Sequence, residues 1–150
     1  MSSSLPNTSA RGRPANLAIL LREPFRVGSE VLHRRFAERG HPDVRPPHGH
    51  VMQFLDDEGT TVSVLAKRAQ MTKQSMAELV AHLERLGYVE RVPDPSDRRA
   101  KLVRATRRGE QLYAIAREVV AQIEAEWTRR LGKAKMRQLR ALLEELNAAL

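Results

Sequence analysis

The chain has 150 residues, 26 Lys plus Arg against 18 Asp plus Glu, a formal charge of +8 and no Cys. The length suits one domain with a real core, and the lack of Cys excludes disulfides, thiolate zinc sites, iron–sulfur clusters and cysteine redox chemistry. No apolar run reaches the ~18 residues of a membrane span and the first residues lack a secretory signal's apolar centre, so a cytoplasmic protein with no membrane partner is expected; the positive charge points instead to a polyanion.

In chain order, residues 1–15 are rich in Ser, Pro, Gly and Arg and read as a flexible basic tail. Within it, Arg11-Gly12-Arg13-Pro14 is similar to the core of an AT-hook, whose arginines enter a narrow minor groove. A solvated basic tail explains the same four residues more plainly. Residues 16–39 have a helical stripe of Leu17, Leu20, Leu21, Phe25, Leu32 and Phe36. Pro24 has no backbone donor and predicts a kink or a fresh helix start. Gly40 ends this segment, and 41–47 is a stiff loop carrying three prolines. A second helix is expected over 47–57, with Val51, Phe54 and Leu55 turned inward. Thr61 is placed to cap a short third helix over 62–69, although the capping-box partner is Val64 rather than Glu or Gln.

After the turn at Gln70 and Met71, Thr72 suits the N-cap of a fourth helix. Met76, Leu79, Leu83 and Leu86 form its buried stripe, with Lys73, Gln74, Ser75, Glu78, His82 and Arg85 opposite. Gly87 stops it. Residues 88–92 and 100–105 alternate and are β-branched, which predicts a hairpin. Its connection, 93–99, is too long for a tight turn and is expected to protrude with Arg98 and Arg99. Thr106 caps a long helix over 107–131, with Leu112, Ile115, Val119, Ile123, Trp127 and Leu131 in line. Gly132 separates it from a last helix over 133–150, where Met136, Leu139, Leu142, Leu143 and Leu146 are too many for a lone helix to bury against its own core.

The expected fold is mainly α with a small β-hairpin wing: a winged helix-turn-helix of about 48–106, flanked by dimerisation helices of about 16–39 and 107–150 in a single chain unit. Small polar residues at the start of a helix suit the major groove of double-stranded DNA, and a basic loop beside it suits the neighbouring minor groove. Residues 62–109 hold eleven Lys and Arg against five Asp and Glu, a net of +6 out of +8, so the charge is concentrated on the motif.

The run from Val62 to Met76 resembles the helix-turn-helix of the multiple antibiotic resistance regulator (MarR) family of bacterial transcription factors. His82-Leu83-Glu84-Arg85-Leu86-Gly87-Tyr88 resembles that family's passage from recognition helix into wing. Asp94-Pro95-Ser96-Asp97-Arg98-Arg99 resembles its wing signature, an Asp-x-Arg before a strand that closes in Leu-Thr. Here the strand closes in Ala105-Thr106, which implies a smaller apolar contact beneath a looser wing.

The resemblance implies a homodimer on a pseudo-palindromic operator, a repressor released by a small ligand, and no cofactor or catalysis. Arg99 would enter the minor groove with its guanidinium held by a salt bridge from Asp97, while Arg98 would meet phosphate or the groove edge. The DNA-binding set is Thr72, Lys73, Gln74, Ser75, Glu78, His82, Asp97, Arg98, Arg99 and Lys101. A small aromatic or phenolic acid is the expected effector, in a crevice lined by Phe25, His33, Phe36, His50, Phe54, Tyr113 and Trp127. For most of these a plain core role is the better explanation. Having no Cys, the chain falls outside the family's thiol-based peroxide sensors.

His41, His48 and His50 suggest a metal cluster, but His48 and His50 are two apart at a helix start and face different ways. Other readings are a nonspecific architectural DNA-binding protein without a ligand, and a metal or small-molecule sensing module whose basic face is incidental. No glycine-rich phosphate loop or nucleophile elbow supports an enzyme.

Overall fold

The computed structural model describes residues 16–150, so the tail and its Arg11–Pro14 motif lie outside the described residues. The elements are α1 (Leu17–Glu38), a 3-10 turn (Pro46–His48), α2 (Gly49–Met52), α3 (Val62–Arg68), α4 (Lys73–Arg85), β1 (Val89–Asp94), β2 (Asp97–Ala105), α5 (Arg107–Leu131) and α6 (Lys133–Ala148). Four helices start where a side chain takes an orphan amide. Asn16 accepts from Ile19 at 3.0 Å, Thr61 from Val64 at 3.3 Å, Thr72 from Ser75 at 3.1 Å and Thr106 from Gly109 at 3.2 Å.

One expectation is narrowed and two are corrected. α1 runs through Pro24 without a fresh start; Leu20, whose carbonyl loses its donor there, is exposed, so water can replace the missing bond. The second helix is a single α turn rather than a segment reaching residue 57. Its continuation is captured by other partners. Arg68 donates to the Phe54 carbonyl at 2.8 Å, and the Asp56 amide donates to Thr60 Oγ1 at 2.9 Å. The wing has no long loop either. β1 and β2 pair regularly from Val89↔Ala105 to Pro93↔Lys101, then the register jumps to Asp94↔Asp97. Arg98, Arg99 and Ala100 therefore occupy a bulge below a tight tip.

Thr60 adds a third edge to this hairpin. Its amide donates to Val103 O at 2.8 Å, and the Val103 amide donates back at 2.9 Å. The preceding Gly59 sits at φ +108°, and a Cβ there would lie 2.8 Å from that of Leu102. Only glycine fits both the dihedral and the approach.

The core lies under α4 and the hairpin, built from Leu65, Met76, Val80, Leu83, Tyr88, Val89, Val103 and Leu112, and continues along α5 through Ile115 and Val119 to Phe36 of α1. Val80, fully buried, joins Met76 and Leu83 on the inner side of α4, while Leu79 and Leu86 are only partly covered. α1 is also tied to α5 by a bidentate pair, Arg39 to Glu118 at 2.6 and 2.7 Å, and Gly28 packs against the Trp127 ring. α6 buries none of its residues.

Candidate nucleic-acid interface

α3 and α4 pack on each other, and the turn between them holds Gln70 at φ +53°, in the left-handed region. This turn sets α4 with Lys73, Gln74, Ser75 and Glu78 exposed and Met76 and Val80 buried. At its start Thr72 both caps the helix and donates its hydroxyl to Ser75 Oγ at 2.9 Å. The Ser75 hydroxyl hydrogen is thus the one left to donate outward.

α4 passes through Gly87, at φ +79°, into β1. Basic groups at the wing's base are neutralised: Arg91 pairs with Glu84 at 3.3 Å and Arg104 with Glu90 at 2.7 Å. Lys73, Arg98, Arg99 and Lys101 have no carboxylate within ion-pair distance among the described residues, and all four are exposed. Uncompensated charge is thus left at the start of α4 and the outer part of the wing.

The expected salt bridge from Asp97 to the Arg99 guanidinium is not formed. Asp97 Oδ1 instead accepts the Arg99 backbone amide at 2.9 Å, and Asp94 Oδ1 accepts both the amide and the hydroxyl of Ser96, at 2.9 and 2.7 Å. These bonds hold the Asp94 carboxyl below its usual range, the Ser96 hydroxyl contributing most. Both carboxylates shape the tip backbone, and the Arg99 side chain projects without a clamp.

Histidines escaped the sequence reading most. His48, 2% exposed, accepts the Arg45 amide on Nδ1 at 2.9 Å and places Nε2 2.9 Å from Nδ1 of His82 on α4. His41 Nδ1 lies 3.0 Å from the hydroxyl of buried Tyr88, over whose ring the Arg108 guanidinium stacks at 4.7 Å. Burial lowers the pKa of both His41 and His48; Arg108 adds to this for His41, and His82, His33 and Arg45 add to it for His48. His50 is exposed. His41 and His48 go to separate partners, and no group of metal-holding side chains occurs among the described residues. Nothing in the sequence marked the His48–His82 pairing, because it spans 34 positions and no periodicity reports it.

The seven expected crevice residues lie in different surroundings. Phe36 is core and Phe25 is 76% exposed. His33 bonds the Ser29 carbonyl at 2.7 Å and meets the Phe36 ring edge-on. Tyr113 donates its hydroxyl to Met52 O at 2.6 Å, and burial above all pushes its pKa up to about 12, so it stays a donor. Open grooves among the described residues include one of about 250 Å³ between α5 and α6, and one of about 470 Å³ beside α4 lined by Pro47, Met71, Ser75, Glu78, Leu79, His82 and Arg85. Neither takes a wall from the seven.

No described helix is long and apolar enough to cross a membrane. A model of the MarR family matches residues 43–100. The transcriptional regulator HosA of Escherichia coli O111:H- is 34% identical over 92 residues, which are 61% of this chain and 68% of HosA. The transcriptional activatory protein BadR of Rhodopseudomonas palustris is 38% identical over 64 residues, 43% of this chain and 34% of BadR. Among solved structures, the MepR–DNA complex of S. aureus is similar with a TM-score of 0.71 and 21% identity, covering 91% of this chain and 99% of that one. The helix-turn-helix, the hairpin wing and the HosA likeness agree: the chain belongs to the MarR family of transcriptional regulators.

Proposed function

We propose that two copies of this chain bind duplex DNA as a symmetric pair, with α4 in successive major grooves and the bulge arginines Arg98 and Arg99 in the flanking minor grooves. Lys73, Gln74 and Ser75 contact base edges or phosphate, and Lys101 contacts phosphate. The observation that carries this is the segregation of charge: arginines at the base of the wing are paired, while the exposed cations of α4 and the outer wing are not. Unpaired cations on an exposed helix start and a projecting hairpin suit phosphate and groove contact.

Residues 48–106 act as the DNA-binding lobe. α1, α5 and α6 supply the pairing surface, since Leu17, Leu20, Phe25, Leu142 and Leu146 stay exposed in one chain. The regulator acts as a repressor that occupies a promoter, and a small aromatic or phenolic acid releases it by favouring a different half-site separation. That MepR was solved with DNA supports the docking by analogy.

Selection of duplexes from a random library by the purified protein at physiological salt tests the reading. Enrichment of a pseudo-palindrome with half-sites about 10–10.5 base pairs apart is expected. Recovery of unenriched or merely AT-rich duplex, lost as salt rises, would replace it with an architectural role.

A further inference from the structure

We infer that His48 is a positioning residue for DNA recognition: it holds the imidazole of His82, on the exposed side of α4, in the single tautomer that offers Nε2–H to an acceptor on the duplex. The inference rests on the proposed DNA-binding reading and adds what sets the polarity of one contact.

The argument starts at a backbone amide. The Arg45 N–H lies 2.9 Å from His48 Nδ1 and can only donate, so His48 Nδ1 carries a lone pair. Neutral His48 therefore bears its proton on Nε2. That nitrogen is 2.9 Å from His82 Nδ1, which must accept. Neutral His82 in turn bears its proton on Nε2. One amide thus dictates, through two rings, which atom of a recognition-helix side chain is a donor.

The surroundings favour the neutral form of His48. His48 is almost wholly buried, and its charged form is further disfavoured by His33 on α1 and by Arg45 in the loop before the 3-10 turn. His33 itself donates Nδ1–H to the Ser29 carbonyl. A second proton on His48 Nδ1 would face the Arg45 N–H, and one on His82 Nδ1 would face the His48 Nε2–H. Glu78 and Arg85, one turn to either side on α4, flank His82 along the open groove that His82 helps to line.

His82 Nε2 has no hydrogen-bond partner among the described residues, and no buried side-chain nitrogen or oxygen there is left unpaired. Nε2 therefore reaches solvent, on the same groove as Ser75 and Glu78. A neutral N–H donor fits a base acceptor such as guanine O6 or N7, or a phosphate oxygen.

The test needs the full chain, isotopically labelled, and the duplex enriched by selection. In the free protein, nitrogen-detected ring spectra should show His82 as the Nε2–H tautomer alone. His48→Met should turn this into a mixture while the melting curve stays cooperative. His82→Phe and His48→Met should each weaken binding about three- to tenfold, the scale of one hydrogen bond. The double variant should be no weaker than His82→Phe, and His48→Gln, which keeps an N–H donor, should recover most of the loss. A loss confined to one base pair assigns the acceptor to a base edge, and an equal loss on all duplexes assigns it to phosphate.

A wild-type His82 found as Nδ1–H or as an even mixture would overturn the inference without any variant. So would additive losses in the double variant, or unchanged binding by His82→Phe. A wild-type protein that binds no duplex at all fails the DNA reading and removes the acceptor, while the tautomer lock still stands or falls on the spectrum of the free protein.

Discussion

Asp97 and Arg99 illustrate how a residue pair can keep its partners and change its chemistry. With Oδ1 on the Arg99 amide, the carboxylate fixes the course of the backbone, a task an amide oxygen performs equally well. Asp97→Asn should bind duplex within about twofold of wild type, since Asn makes the same turn, whereas a guanidinium clamp would make Asn as harmful as Ala. Arg99→Ala should weaken binding about tenfold or more and lower the salt slope by about one unit if the guanidinium neutralises a phosphate. Titration of affinity against salt for the three proteins separates these outcomes. The buried histidines carry a second prediction at this scale. His41 and His48 both titrate below the ordinary histidine value of 6.5, chiefly because burial disfavours the charge. The unfolded chain then binds more protons than the folded one at mildly acid pH. Their stabilisation is complete above pH 6.5 and is lost as pH falls toward the lowered folded values. Each proton contributes a slope of at most about 1.4 kcal/mol per pH unit. Urea midpoints from pH 7.5 to 5 should fall accordingly, and His48→Met should flatten the lower part of that curve.

Helix starts were legible because capping is local. Thr61, Thr72 and Thr106 announce themselves by residue type just before an apolar stripe, and all three accept the expected amide. What hid was long-range. The second helix ends early because Arg68 and Thr60 take its backbone groups, and no pattern within residues 47–57 could show it. The tight wing tip escaped for a similar reason: a register jump places three residues in a bulge, and sequence alternation alone counts Arg98 and Arg99 as loop. The candidate site divides the same way, since exposure of Lys73, Gln74 and Ser75 followed from helical spacing, while the histidine pair did not. Junctions between elements are also where a substitution should hurt most. Gly109, in the first turn of α5, lies so close to the Tyr88 carbonyl that any Cβ would collide with it, and the Thr106 amide donates to that same carbonyl at 3.0 Å. Gly109→Ala has to push α5 away from β1. A loss of about 1–3 kcal/mol in urea unfolding is expected, typical of overpacking. The wing hangs from this junction, so its amides should exchange faster in the variant than those of α3.

A single chain leaves its own architecture unfinished. α6 buries nothing, and Leu142 and Leu146 are 56% and 41% exposed while Leu17 and Phe25 at the other end of the sequence are 64% and 76% exposed. Such apolar surface at both termini is uncommon in a monomer and typical of an interface. The centre of the molecule, by contrast, is closed: the core under α4 and the hairpin continues without a gap into α5. Folding of the central core and the proposed pairing of the termini are therefore expected to be separable. Leu142→Glu with Leu146→Glu places charge on the proposed pairing surface and touches no core residue. Sedimentation should show wild type as a dimer at micromolar concentration and the double variant as a monomer, with helical content and the melting of the lobe largely kept. Binding to a full operator should then fall by about a hundredfold or more, because the second half-site contact is no longer intramolecular. Affinity for a single half-site should change little. A double variant that stays dimeric would place the pairing surface elsewhere on the chain. A monomeric variant that still binds the full operator like wild type would show that symmetry plays no part in recognition, and would move the reading toward one chain per site.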